Sequence, residues 1–170
     1  MPTTSSTDRA LPPELMDAPD LPLPETERAL ADLDRIHRRL FGFLASCRTL
    51  IPRLVTGPRH QWLVDLGTGS GAVMTRLQRQ AQRRGIRLVI LGVDRKLNHL
   101  LYGRRREDPL LRVVADVRAL PLRTDAVDWS HSNLLFHHFD ADDNRRILAE
   151  MRRVASRSAV VVDLRRALGA

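Results

Sequence analysis

The spacing of hydrophobic positions changes several times along this chain, and each change marks an element. From Glu25 to about Leu50, the residues Leu30, Leu33, Ile36, Leu40 and Leu44 recur at steps of three and four, which places them on one face of a helix. Pro52 and Gly57-Pro58 then break the chain. Gln61–Leu66 is a short apolar run with a single acid, Asp65, and predicts a buried strand. Ala72–Arg84 lacks Gly and Pro and sets Val73, Leu77 and Ala81 at helical spacing, with Gly85 suited to a C-terminal cap. Arg87–Val93 is almost continuously apolar, as in a parallel strand buried on both faces. A short helix is expected around Lys96–Tyr102, followed by a polar loop. Leu111–Ala115, Ala126–Ser130 and Ser158–Val162 predict three more strands. Before the last of these, Asp140–Asp143 can cap and charge the start of a helix whose apolar face is Ile147, Leu148, Met151 and Val154.

Strands alternating with helices imply βαβ units, so the expected fold class is α/β, a Rossmann-like parallel sheet with helices on both faces. Residues 1–25 are rich in Pro, Ser and Thr without periodicity and read as a flexible arm. Residues 26–56 form a leading helical segment, and 57–170 a ligand-binding domain.

Composition narrows the class. The 170 residues, 43% apolar, can bury a core as one domain. No apolar run reaches membrane-spanning length, and the start lacks the apolar stretch of a secretory signal, which makes the cytoplasm the expected location. The net charge of +8 falls entirely after residue 60, and Lys96 is the only lysine. The Arg residues are dispersed and aromatic residues are scarce, which disfavours a nucleic-acid partner. The single Cys47 lies in an apolar helical stretch and reads as a small core residue.

The chemistry centres on Asp65-Leu66-Gly67-Thr68-Gly69-Ser70-Gly71, a strand end, a glycine turn and the start of a helix. Glycines let backbone approach a ligand, and the helix start offers free N–H groups. Asp65, Asp94 and Asp116 each end a strand, where ligands bind in an open parallel sheet. Asp94 follows Gly71 of the turn by 23 residues, a spacing at which a carboxylate can meet both ribose hydroxyls. Gly67, Gly69 and Ala72 also satisfy a dinucleotide pattern, so a nicotinamide cofactor is the competing reading. A carboxylate two residues before the first glycine repels a pyrophosphate and suits a cationic ligand. His131, His137 and His138 raise the question of a metal, but no carboxylate or thiolate pattern accompanies them and none is expected.

Val64-Asp65-Leu66-Gly67-Thr68-Gly69-Ser70-Gly71 resembles the first motif of class I S-adenosylmethionine-dependent methyltransferases. Gly92-Val93-Asp94 is similar to that family's ribose-binding acid and Ala115-Asp116-Val117 to its adenine-contacting segment. Leu120-Pro121 and Ser132-Asn133-Leu134-Leu135-Phe136-His137-His138-Phe139 resemble later motifs of its small-molecule branch, which includes quinone-biosynthesis methyltransferases. The resemblance covers roughly residues 60–165 and implies S-adenosyl-L-methionine as cofactor. It implies that Gly67 and Gly69 line the methionine part, with Thr68 and Gly71 completing the turn and Asp65 near the ammonium. Asp94 would hold the ribose, with Arg95 beside it. Asp116 would meet the adenine amine, the Val117 backbone the ring edge, and Asn133, on the loop after strand four, the transferring methyl. The implied acceptor is a small molecule, phenolic, quinone-like or polyketide-like. His137 or His138 is the candidate base for removing a hydroxyl proton.

The family sheet has seven strands, the last two an antiparallel hairpin, whereas this chain offers five and ends soon after. The expectation is therefore a C-terminally shortened domain, with an exposed fifth-strand edge at which a second copy could pair. A module that binds the cofactor without transferring a methyl is the alternative function.

Overall fold

The computed structural model describes residues 22–39, 42–104 and 109–163. Five parallel strands form one sheet: β1 (Gln61–Leu66), β2 (Leu88–Asp94), β3 (Leu111–Val114), β4 (Val127–Asn133) and β5 (Ala155–Val162), in the order β3-β2-β1-β4-β5. Helices α1 (Leu23–Arg39), α2 (Gly42–Leu50), α3 (Ala72–Gln82), α4 (Leu97–Arg104) and α5 (Ala141–Val154) surround it. The chain belongs to the expected α/β, Rossmann-like class.

The alternation of side chains along β1 divides the core. Leu63 and its partners Ile90 and Trp129 pack with Leu50 at the end of α2, with Ile51 after it, and with Met74, Leu77 and Ala81 of α3. Val64 and Leu66 face the other way, onto Ile147, Met151 and Val154 of α5. Burying side chains of this size contributes about 1.5–3 kcal/mol each. Asp140 caps α5 as expected, accepting from Asp143 N at 2.8 Å. Gly85, at φ +70°, closes the end of α3, where Ile86 N donates to Ala81 O.

Several expectations are corrected. The leading helix is two helices, α1 and α2, with residues 40 and 41 outside the described residues. The first helix starts at Leu23, inside the span read as a flexible arm, because Pro24 fits a first helical turn and the Pro22 carbonyl accepts from Thr26 N. The rest of that arm lies outside the described residues. On these helices Ile36 and Leu44 are half exposed, and the buried line along α1 is Thr26, Leu30 and Asp34. Leu148 of α5 is also exposed.

Strand β4 runs on to Asn133 rather than ending at Ser130, and is buried almost throughout although most of it is polar. Partners make that tolerable. Asp128 accepts from Trp62 N at 2.9 Å and pairs with Arg59 and Arg157, and Ser130 Oγ donates to Met151 O at 2.9 Å. Strand β5 begins at Ala155, directly after α5, and among the described strands it pairs only with β4. Among the described residues, no helix is long and apolar enough to cross a membrane.

Candidate functional site

The strand order reverses direction between β1 and β4, and the crevice beyond the carboxyl ends at such a switch is where open α/β sheets bind ligands. The glycine turn sits there. Gly67, Gly69 and Gly71 have φ of +68°, +55° and +77°, a region that side-chain-bearing residues rarely enter. Gly71 is also the N-cap of α3. Thr68 N donates to Val93 O at 3.0 Å, and its side chain lies over Gly92, where a Cβ would come within 2.7 Å of Thr68 Cγ2.

The acids do different things. Asp94, 8% exposed at the end of β2, accepts from Gly69 N through Oδ2 and from Lys96 N through Oδ1, both at 2.9 Å. His99 Nδ1 lies 3.6 Å from Oδ1. Burial alone would raise the Asp94 carboxyl, but the neighbouring His99 and the two backbone N–H groups outweigh it and hold it below the usual carboxylate range. Asp65 Oδ1 lies 2.7 Å from His131 Nδ1, its register partner on β4. Asp116 lies just beyond β3 and is half exposed. Arg118 binds both its oxygens, reaches Asp143 of α5 at 2.9 Å, and thereby lowers the Asp116 carboxyl. Arg95 is exposed beside Asp94, and Val117 is buried.

Two further walls were not legible in the sequence. Ser70 Oγ donates to Asp34 Oδ1 at 2.7 Å, and Leu30 approaches Gly69, so α1 lies on the turn. On the other side Asn133 is the last residue of β4, not a loop residue, and pairs with Val162. The turn after it takes Leu134 to φ +53° and lays Leu135 against Gly67. Asp163 holds that turn. It accepts from Leu135 N at 3.0 Å and Phe136 N at 2.6 Å through Oδ2, and from His137 Nδ1 at 2.7 Å through Oδ1. His137 is buried, and the His138 ring lies 4.1 Å from it.

The structure thus brings Asp65, the glycine turn, Asp94 and Asn133 to one end of three adjacent strands. Asp116 stands further out, tied to Arg118. Among the described residues no three His, Cys, Asp or Glu side chains cluster as a metal site would need.

The chemistry of this crevice fits an adenosine-bearing cation. Its carboxylates are negative, and Thr68 Oγ1, Ser132 Oγ and Asn133 Oδ1 are buried polar atoms without hydrogen-bond partners among the described residues. Such atoms are costly unless something pairs with them.

Fold, glycine turn and acids together define a Rossmann-like domain of the nucleoside-cofactor-binding type. Residues 64–162 match the methyltransferase-domain family, and the chain belongs to it. It is 30% identical over 139 residues to a demethylmenaquinone methyltransferase of Thermotoga maritima, covering 81% of this chain and 58% of that protein. The chain thus spans little more than half the length of that curated relative. Among solved structures it resembles a SAM-dependent methyltransferase from Aquifex aeolicus, with TM-score 0.61, 19% identity, and 85% and 77% of the two chains covered. It also resembles the PH0226 protein of Pyrococcus horikoshii, with TM-score 0.56, 21% identity, and 72% and 58% covered. At these identities the structural likeness carries the fold.

Proposed function

We propose that this chain binds S-adenosyl-L-methionine and transfers its methyl group to a small-molecule acceptor, phenolic or quinone-like. One observation carries the cofactor: Asp65, near the end of β1, leads into the glycine turn, and the Asp94 carboxylate at the end of β2 accepts from Gly69 N of that turn. When bound, the cofactor supplies a methyl carbon made electrophilic by a positive sulfur. Asp94, pre-set by Gly69 N and Lys96 N, receives the ribose hydroxyls, with Arg95 flanking it. Asp116 and the Val117 backbone take the adenine. Gly67, Thr68, Gly69 and Gly71 shape the turn around the amino-acid end, and Asp65 faces its ammonium. Asn133 stands beside the reacting carbon.

The chain's own contribution to such a displacement is alignment and exclusion of water. A hydroxyl acceptor also loses a proton. Asp163 accepts from His137 Nδ1, which makes Nε2 the basic nitrogen of that ring, and we assign His137 this role with His138 beside it. The named activity of the Thermotoga relative supports a quinone-like acceptor.

Calorimetric titration with S-adenosylhomocysteine tests the cofactor, on the native sequence and on Asp94→Ala. Saturable binding that the substitution abolishes is the expected result, and a folded protein that ignores the ligand refutes it. Binding without transfer to any of a panel of phenols and hydroquinones would favour the alternative, a cofactor-binding module without catalysis. A nicotinamide cofactor displacing S-adenosylhomocysteine would favour an oxidoreductase.

A further inference from the structure

Ser46, His131 and Asp65 form a hydrogen-bonded chain from α2 through β4 to β1. Ser46 Oγ lies 3.0 Å from His131 Nε2, and His131 Nδ1 lies 2.7 Å from Asp65 Oδ1. Ser46 and His131 have no exposed surface, and Asp65 retains 5%. Sheet register makes the second contact: Asp65 and His131 are direct partners on adjacent parallel strands, so both side chains leave the same face. A carboxylate only accepts, so Nδ1 carries a proton, and in the neutral ring Nε2 then accepts from the Ser46 hydroxyl. These residue types match the relay that activates a serine nucleophile, but a hydroxyl with no exposed surface meets no substrate. The chain of bonds acts inward, on the carboxylate.

We propose that His131, oriented by Ser46, is a positioning residue for cofactor binding. It fixes Asp65 so that the second carboxylate oxygen faces the ammonium of the cofactor's amino-acid end. Oδ1 is committed to His131, while Oδ2 accepts no hydrogen bond among the described residues. The same face continues away from the site through Leu63 and Trp129, neither of which hydrogen-bonds Asp65. Without the ring N–H, a nearly buried carboxylate would lose the one side-chain donor it has among the described residues and turn toward solvent. Because Ser46 belongs to α2, the leading helical segment shapes the amino-acid end of the site through His131. The proposal rests on the cofactor assigned above.

Two ligands separate positioning from scaffolding. S-adenosylhomocysteine carries the amino-acid end, whereas 5′-methylthioadenosine keeps the adenosine and sulfur but lacks it. Calorimetric titration of His131→Leu is expected to show affinity for S-adenosylhomocysteine lower by about tenfold or more, the scale of a lost hydrogen bond to a charged group. Affinity for 5′-methylthioadenosine is expected to stay at the native value. Ser46→Ala shows a smaller loss with the same ligand selectivity. His131→Asn keeps an N–H near the Nδ1 position and restores most of the preference. Equal losses for both ligands, or none for either, overturn the proposal. If His131→Leu does not fold, as a thermal melt would reveal, Ser46→Ala decides by the same ratio. Native protein that binds neither ligand overturns the cofactor assignment and this proposal together. Native binding of both, with an unchanged ratio in His131→Leu and Ser46→Ala, removes only the role of His131.

Discussion

Ser70 Oγ donates a 2.7 Å hydrogen bond to Asp34 Oδ1, joining the glycine turn to α1. Both residues are buried, at 6% and 4% exposure, and Leu30, one helical turn before Asp34, sits against Gly69. The leading segment is therefore part of the wall of the site. Asp34→Ala strands a buried hydroxyl and is expected to cost about 1–3 kcal/mol of stability. It should also weaken S-adenosylhomocysteine binding, because the turn loses a brace. Urea unfolding and calorimetry measure the two effects. Native affinity in a destabilised variant would limit α1 to a structural role.

Gly103 of α4 lies so close to the turn that a Cβ there would overlap the Ser70 carbonyl oxygen. That neighbour is backbone, so α4 must move away. Gly103→Ala is expected to destabilise the fold by about 1–3 kcal/mol despite alanine's better helix propensity. A thermal melt checks it, and an unchanged or raised midpoint would contradict the close packing.

The pH dependence of stability has a defined sign. Asp94 is held below its ordinary value of 3.8 in the folded chain, so its contribution is complete above that value and is lost as pH falls through the acid range. Asp116 and Glu150 shift the same way through Arg118 and Arg153, but both lie nearer solvent and contribute less. Asp94→Asn should flatten the acid limb of the stability curve and leave its neutral-to-basic shape unchanged. Denaturant unfolding across the acid range reads this directly.

Burial pushes the Cys47 thiol up to about 11, with Arg84 opposing only in part. Little thiolate then exists at neutral pH, and thiolate is the reactive form. Ellman's reagent should label the native protein much more slowly than the urea-unfolded chain. Equal rates would mean that α2 opens readily from the core.

The His137–Asp163 pair gives a kinetic prediction. His137→Gln should lower methyl transfer to a hydroxyl acceptor by about 10²–10⁴-fold, the range for a general base, while S-adenosylhomocysteine still binds. Asp163→Asn should reduce transfer less and move the pH–rate profile, because it alters the ring's partner rather than removing the ring. Loss of cofactor binding in His137→Gln would instead make that turn part of the cofactor site.

The sequence by itself determined the βαβ alternation, the glycine turn and the acids at strand ends, because these depend on neighbours a few residues away. The apolar runs of the strands, Gly85 after α3 and Asp140 before α5 are local signals, and the structure follows them. The long-range partners were decided only by tertiary structure. Ser70 meets Asp34, His131 meets Ser46 and Asp65, and Asp163 meets His137 because the sheet order brings distant segments to one end. The leading helices show why their buried face was misread. A stripe of apolar residues predicts the inner face, yet Ile36 and Leu44 lie half exposed, while Thr26, Asp34 and Ser46 lie buried. A polar side chain can be buried when a specific partner accepts or donates its hydrogen bond. That partner is supplied by another segment, so hydrophobic periodicity alone carries no trace of it.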